Sequence, residues 1–132
     1  PPTRCQRDGR YLMKLKNVLI VVNDTEKSVA FYRDLFGLQV VLKSDGNVIM
    51  TEGLVLQDRQ IWEQTIQKKV VSMNHAAELY FEEADWERFV ERLEEYGNAI
   101  RYLNEPVVNS FGRRIVRFYD PDGNLIEVGT PM

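Results

Sequence analysis

Two glutamates lie inside segments that otherwise have the composition of β-strands. Glu127 stands in "NLIEV" at 124–128, and Glu78 stands in "AELYFEE" at 77–83. A carboxylate in a strand either points to water or faces a cavity. If both side chains face one cavity, like charges at close range raise the pKa of at least one of them. Such a pair shares a proton, holds a cation or binds a cationic ligand, so Glu78 and Glu127 are the candidate catalytic residues.

The elements that carry the two glutamates are predicted to occur twice. The run "NVLIVV" at 17–22 predicts a strand, and a helix follows that Asp24 or Thr25 can cap and Gly37 can end. "LQVVLK", "NVIM" and "LVLQ" predict three further strands. The same order returns after residue 76, with Asp85 as the helix cap.

We therefore expect an α+β fold of two βαβββ modules that form a curved, incomplete barrel sheet with helices outside. The modules are predicted at about 15–57 and 77–129, joined by 58–76, within one domain spanning 13–132. The last two strands of the second module form a hairpin around "DPDG", where Pro121 and Gly123 favour a turn.

Strand parity predicts which side chains share a face, since alternate residues of a strand point the same way. The apolar faces of the two predicted helices must pack against one face of the sheet. The strand residues whose parity and apolar character suit that face are Val18, Ile20, Val22, Leu79, Phe81, Ile126 and Val128. The opposite, concave face then holds Asn17, Glu78, Tyr80, Leu125 and Glu127. Asn17 and Glu78 are equivalent positions, since each lies seven residues before a capping aspartate.

Two motifs, "SVAFYRDLFGLQV" at 28–40 and "FYDPDGNLIEV" at 118–128, resemble the vicinal oxygen chelate superfamily. That superfamily includes glyoxalases, bleomycin resistance proteins, extradiol dioxygenases and epimerases. The resemblance implies paired βαβββ modules and a homodimer. It also implies metal-ligand positions at Asn17, Glu78 and Glu127, the first two of which are commonly histidine in the family. A fourth ligand, usually glutamate, would fall near Leu56 or Gln57.

The missing imidazoles change the metal chemistry that the chain can support. A site of Asn17, Glu78 and Glu127 offers only oxygen ligands, which suit Mg²⁺, Mn²⁺ or Ca²⁺. Extradiol dioxygenase chemistry requires two histidines and one carboxylate as metal ligands. The chain has one histidine, His75, which is predicted to lie on the opposite face of the sheet or in the loop before the strand, without a catalytic role. We expect no cofactor, with a divalent cation as the alternative. Tyr80 and Trp62 are further candidate ligand-binding residues, and Trp62 is predicted on a helix or loop over the cavity mouth.

Composition excludes several classes of function. The 132 residues are 44% hydrophobic and 28% charged, with a net charge of −3, so neither nucleic acid nor an anionic membrane is an expected partner. No stretch approaches the roughly 20 apolar residues of a membrane span. A single cysteine excludes an internal disulfide and fits a cytoplasmic location. Residues 1–12 show no periodic pattern and are predicted to be an expression scar or a disordered leader.

Three functions remain open, since a fold does not fix a function. The first is a small-molecule binding protein that lacks the usual histidine-ligated metal. The second is a metal-dependent lyase, isomerase or epimerase that uses Glu78 and Glu127, and if the chain is an enzyme we expect this glyoxalase type rather than an extradiol dioxygenase. The third is a structural or regulatory dimer with a vestigial pocket.

Overall fold

The computed structural model describes residues 12–131, together with the backbone of two short antiparallel strands, β1 (Gln6–Arg7) and β2 (Arg10–Tyr11). The predicted leader lies almost entirely outside the residues described in full, so it stays a prediction. No helix within the described part of the chain is long and apolar enough to cross a membrane.

Residues 12–66 contain seven elements. They are β3 (Val18–Val22), α1 (Thr25–Phe36), β4 (Val40–Ser44), β5 (Asn47–Met50), a 3-10 turn (Thr51–Gly53), β6 (Leu54–Asp58) and α2 (Arg59–Ile66). Asp24 caps α1 as predicted, since its carboxylate accepts the Lys27 N–H at 3.1 Å. Gly37 ends the helix with φ of 72°, a left-handed conformation in which glycine has no steric penalty.

The second half repeats the order of the first. Its elements are β7 (Glu78–Glu82), α3 (Trp86–Tyr96), a 3-10 turn (Gly97–Ala99), β8 (Arg101–Val108), β9 (Arg114–Tyr119) and β10 (Leu125–Gly129). Asp85 caps α3 by accepting the Arg88 N–H. The predicted two-fold βαβββ order is therefore present, with α2 lying in the segment between the repeats.

Strands β3 to β10 form two four-stranded mixed sheets of identical topology, in the orders β4-β5-β6-β3 and β8-β9-β10-β7. In each sheet the first strand of the repeat pairs parallel with the last, and the other pairings are antiparallel. The described strands do not close into a barrel. This confirms the predicted α+β fold class.

One hydrophobic core holds both halves together. Phe31 of α1 packs edge-on against Tyr96 of α3 with ring centroids 5.8 Å apart, and it also contacts Phe118 of β9. The strand residues predicted for this face contribute to the core except at one end. Val18 is 47% exposed at the start of the edge strand β3. The prediction of a buried Val18 is therefore wrong.

The turn between β9 and β10 also joins the two halves. Asp120 is 1% exposed, and its carboxylate accepts the backbone N–H groups of Asp122 and Asn124 at 2.9 Å each. The hydroxyl of Tyr32, on α1, donates to the same carboxylate at 2.7 Å. Asp122 in turn accepts the backbone N–H of Asn23 at 2.9 Å. The "DPDG" turn thus fixes the start of β10 against the first repeat.

Candidate functional site

Glu127 lies on the face of the second sheet that points away from the core. Its neighbours Ile126 and Val128 are buried in that core at 0% and 1% exposure, so alternation turns the glutamate to the other side. Glu127 itself is only 8% exposed. Its partner on β9 in the antiparallel register is Arg117, whose Nη2 lies 2.8 Å from the Glu127 Oε1. The carboxylate is therefore held by a charge-assisted hydrogen bond.

Glu78 shares this face from the neighbouring strand. β7 runs parallel to β10, with Glu78 opposite Leu125 and Tyr80 opposite Glu127, which makes the two glutamates diagonal neighbours. Burial raises the pKa of Glu78 above its ordinary value, the negative charge of Glu127 raises it further, and Arg117 opposes both. Glu78 is exposed, so solvent screens the effect, but the direction indicates that the two carboxyl groups interact.

Tyr80 is 42% exposed on the same face, beside both glutamates. The guanidinium of Arg113 lies over its ring, 5.8 Å from the centroid, and donates to its hydroxyl. Gly129 makes this approach possible, since a Cβ there would lie 2.8 Å from the Arg113 Nη2 and 3.1 Å from the Tyr80 oxygen. The ring of Tyr80 is therefore held in place by a cation and a hydrogen bond.

His75 lies in the loop before β7, which is one of its two predicted positions. Its side chain nevertheless reaches the concave face. Its Nε2 is 2.8 Å from the hydroxyl of Tyr119, which has the same parity on β9 as Arg117. Parity could not place His75, because its backbone turns at a φ of 55° and the strand begins only at Glu78. Glu78 and His75 line a cavity of about 320 Å³ together with Leu125, and Glu127 does not reach it.

The other two predicted binding residues lie elsewhere in the chain. Asn17 lines a separate cleft at the start of β3, together with Tyr80 and Glu82 but not with Glu78 or Glu127. Glu78 and Glu82 are four strand residues apart, which is about 13 Å of extended chain. Trp62 is half-buried on α2 and lines neither cavity. A single chain therefore brings together Glu78, Tyr80 and Glu127, whereas Asn17 shares a cleft with Tyr80 alone of these three and Trp62 lines neither cavity.

The sequence profile of the glyoxalase-like domain matches residues 15–132, which is most of the chain. The protein belongs to the glyoxalase-like domain family. This confirms the resemblance to the vicinal oxygen chelate superfamily. Among its relatives, the uncharacterized protein YraH of Bacillus subtilis (strain 168) is 29% identical over 126 residues, covering 88% of this chain and 97% of that protein.

Solved structures of other proteins are also similar to this chain in fold. Lactoylglutathione lyase from Agrobacterium tumefaciens is 26% identical, with a TM-score of 0.68, and the match covers 89% of this chain and 92% of that one. A glyoxalase/bleomycin resistance protein/dioxygenase family enzyme from Burkholderia phytofirmans PsJN is 19% identical with a TM-score of 0.75, covering 89% and 98% of the two chains. At that identity, the second likeness concerns the fold alone.

Arg117 is the residue of this site that sequence reasoning missed. It is not among the residues that the sequence pattern singles out, although the hairpin register contains the signal. Once Glu127 is placed on β10, antiparallel pairing around the "DPDG" turn puts residue 117 opposite it. The length of the turn could not be predicted, and it decides whether residue 117 or one of its neighbours lies opposite Glu127.

The family implies a metal at this face, and the donor set of this chain does not fit one. Within residues 12–131, no group of three histidine, cysteine, aspartate or glutamate side chains is arranged to hold a metal ion. Glu127, which matches the family's glutamate ligand, is already bound by Arg117 at 2.8 Å. A guanidinium at that distance both occupies the carboxylate and repels a second cation. The β6 position near the fourth ligand is Gln57, whose amide oxygen accepts from Asn47 at 2.7 Å.

Proposed function

We propose that this glyoxalase-like protein binds a small organic molecule at Glu78 and Tyr80 on the concave face of its second sheet, without a histidine-ligated metal. The observation that carries the proposal is the ion pair between Arg117 and Glu127. In a metal-dependent relative the glutamate would have to be free for the ion. Here it serves instead to hold a guanidinium at the centre of the face.

The charges of this face favour a ligand that donates hydrogen bonds. Arg117 neutralises Glu127, which leaves the exposed carboxylate of Glu78 as an acceptor beside a half-exposed aromatic ring. The cavity of about 320 Å³ next to Glu78 has Leu19, Val21 and Leu125 among its walls. Its size lies at the lower end of the roughly 300–1,000 Å³ found for ligand pockets. A compact molecule with an apolar body and an N–H or O–H donor fits this combination.

A homodimer is part of the proposal. The outer strands β4 and β8 expose apolar side chains on both faces, including Val41 at 63% and Val108 at 64%. Such edges invite pairing with another chain unless a partner covers them. A second copy would cover them. Light scattering should give twice the 15.4 kDa chain mass, and a purely monomeric protein at micromolar concentration would contradict this part.

Titration with Mn²⁺ tests the claim about the metal. Calorimetry of the wild type should show no binding at micromolar affinity, because Arg117 holds Glu127. Arg117→Met frees two neighbouring carboxylates and should introduce weak Mn²⁺ binding. Arg114→Met is the matched control, since Arg114 lies on the same strand and binds Glu87 at 2.5 Å instead. Micromolar Mn²⁺ binding by the wild type would contradict the proposal.

Thermal-shift screening of small molecules tests the binding itself. A compound that raises the melting temperature of the wild type should lose its effect in Glu78→Gln and keep it in Glu95→Gln, a change on the exposed side of α3. If every stabilising compound acts equally on both variants, the ligand does not bind at Glu78.

A lyase or isomerase is the second candidate function, and the interaction between Glu78 and Glu127 favours it. A carboxyl group with a raised pKa can carry a proton to or from a substrate. The similarity to lactoylglutathione lyase from Agrobacterium tumefaciens supports the same reading. Turnover of a hemithioacetal or epimerisable substrate that falls in both Glu78→Gln and Glu127→Gln would favour this candidate over simple binding.

A further inference from the structure

A second cavity opens between the two sheets, on the side of the core. β3 and β7 are edge strands of their own sheets, and among the described strands no hydrogen-bonded ladder joins them. Beside the start of β3 and the end of β7 lies a cleft of about 700 Å³, here called the intersheet cleft, whose lining includes Val18, Phe36, Phe81 and Arg92. This volume falls within the range of small-molecule sites. Asn17 and Tyr80 also line it, whereas Glu78 and Glu127 do not.

The floor of the intersheet cleft is aromatic. Phe36 and Phe81 stack with ring centroids 4.1 Å apart and planes inclined by 17°. Both rings are only partly buried, and Phe89 lies next to them with its centroid 6.0 Å from that of Phe36. A flat ring placed on this stack would extend it in the offset geometry that aromatic groups prefer. The floor therefore suits a planar apolar body.

Arg92 supplies a polar group at the edge of this floor. Its Nη2 donates to the Glu83 Oε1 at 3.2 Å, and its guanidinium lies 5.5 Å from the centre of the Phe89 ring. The Nε is buried and has no hydrogen-bond partner among the described residues. The side chain as a whole is 33% exposed, so its remaining N–H groups can meet a ligand in the cleft, and carboxylates match the planar donors of arginine best.

The rest of the rim limits how much negative charge a ligand can carry. Lys16 lies at the mouth, and within the described residues it forms no ion pair. Glu52, Glu82 and Glu83 also line the cleft, the last of them paired with Arg92, and would repel a polyanion. A ligand with a single carboxylate, placed at Arg92, can use the donors of that side chain while it carries only one negative charge.

We propose that the intersheet cleft binds a small aromatic monocarboxylate, with its ring on the stack of Phe36 and Phe81 and its carboxylate on Arg92. The cleft shares the wall residue Tyr80 with the site proposed on the concave face, but the residues assigned to this ligand, Phe36, Phe81 and Arg92, are not part of that site.

Binding of 2-naphthoate, measured by calorimetry on the full chain, tests the proposal. We expect one saturable site, and about tenfold weaker binding of 2-naphthamide, which lacks the charge. Arg92→Gln should weaken naphthoate binding by about the same factor, since it removes a charge-assisted hydrogen bond. Arg88→Gln is the matched control, one turn earlier on α3 and exposed outside the cleft.

A second pair of variants tests the location without changing charge. Leu15→Trp narrows the mouth of the cleft without touching the cavity beside Glu78 and should weaken naphthoate binding, whereas Val41→Trp, on the exposed strand β4, should leave it unchanged. Circular dichroism checks that each variant is folded. The proposal is overturned if the wild type shows no saturable binding, or if Arg92→Gln and Leu15→Trp both bind as the wild type does. Loss of binding in Glu78→Gln alone would place the ligand on the concave face and would equally refute the cleft.

Discussion

Replacing Tyr32 by phenylalanine removes the one hydroxyl that ties helix α1 to the buried Asp120. The two side chains are 0% and 1% exposed, and the hydroxyl lies 2.7 Å from the carboxylate. Hydrogen bonds to charged groups contribute about 1.5–3 kcal/mol, and Asp120 keeps its acceptor contacts to Asp122 and Asn124. We therefore expect Tyr32→Phe to lower the free energy of unfolding by about 2 kcal/mol. In a chain of this size that corresponds to a melting temperature lower by roughly 6–10 °C.

Urea unfolding followed by circular dichroism measures this change, with Tyr96→Phe as the matched control. The Tyr96 hydroxyl reaches Asp34 only at 3.5 Å and near solvent, so its loss should cost less than about 0.5 kcal/mol. Equal losses in the two variants would refute the reasoning.

The pH dependence gives a second check on the same hydroxyl. Burial raises the pKa of Tyr32 well above its usual value, and the charge of Asp120 raises it further. A raised pKa contributes stability that is present below the unfolded-state value of about 10 and is lost as the pH rises through the folded-state value. The difference between wild type and Tyr32→Phe should therefore narrow in alkaline solution. A difference that widens above that pH would contradict the assignment of the donor.

Three further predictions concern the concave face. Since the pKa of Glu78 is raised in the folded state, its ionisation opposes folding. Glu78→Gln should therefore be more stable than the wild type at pH 7, by less than about 1 kcal/mol, and equally stable below about pH 4. Urea unfolding at both pH values measures the difference. Glu127→Gln should cost about 1–2 kcal/mol because Arg117 loses its charged partner, and an unchanged urea midpoint would argue against the ion pair in solution. Gly129→Ala should displace the flexible end of Arg113 and lower the free energy of unfolding by about 1 kcal/mol or less, which thermal unfolding would detect. A loss of stability several times larger would mean that Arg113 cannot move.

The sequence was sufficient for features that depend on local chemistry. The helix starts at Asp24 and Asp85 follow from side-chain capping, and the end at Gly37 follows from the conformational freedom of glycine. Alternation within a strand was enough to turn Glu127 away from the core, because Ile126 and Val128 are both needed inside it. These features involve residues within a few positions of one another, so no knowledge of the tertiary structure was required.

Features that depend on distant partners could not be predicted in the same way. Alternation predicted the face of the sheet to which Val18 points but not how exposed its side chain is, because exposure depends on the tertiary packing around the start of β3. The contact of His75 with Tyr119 depends on the path of a loop with left-handed residues. The separation of Asn17 from Glu78 depends on how the edge strands β3 and β7 lie beside each other. Equivalent positions in two repeats are not neighbours unless the packing of the repeats brings them together.

The ion pair on the concave face depends on a residue outside it. Asp120 closes the turn between β9 and β10 by accepting the backbone N–H of Asn124, and this turn sets which residues of the two strands face each other. A slip of one residue would move Glu127 to the core side and separate it from Arg117. Tyr32 holds the same aspartate from the other half of the chain. One buried carboxylate therefore fixes both the packing of α1 and the strand register of the candidate site, so damage at Asp120 should reach the ion pair even though no side chain of the site touches it.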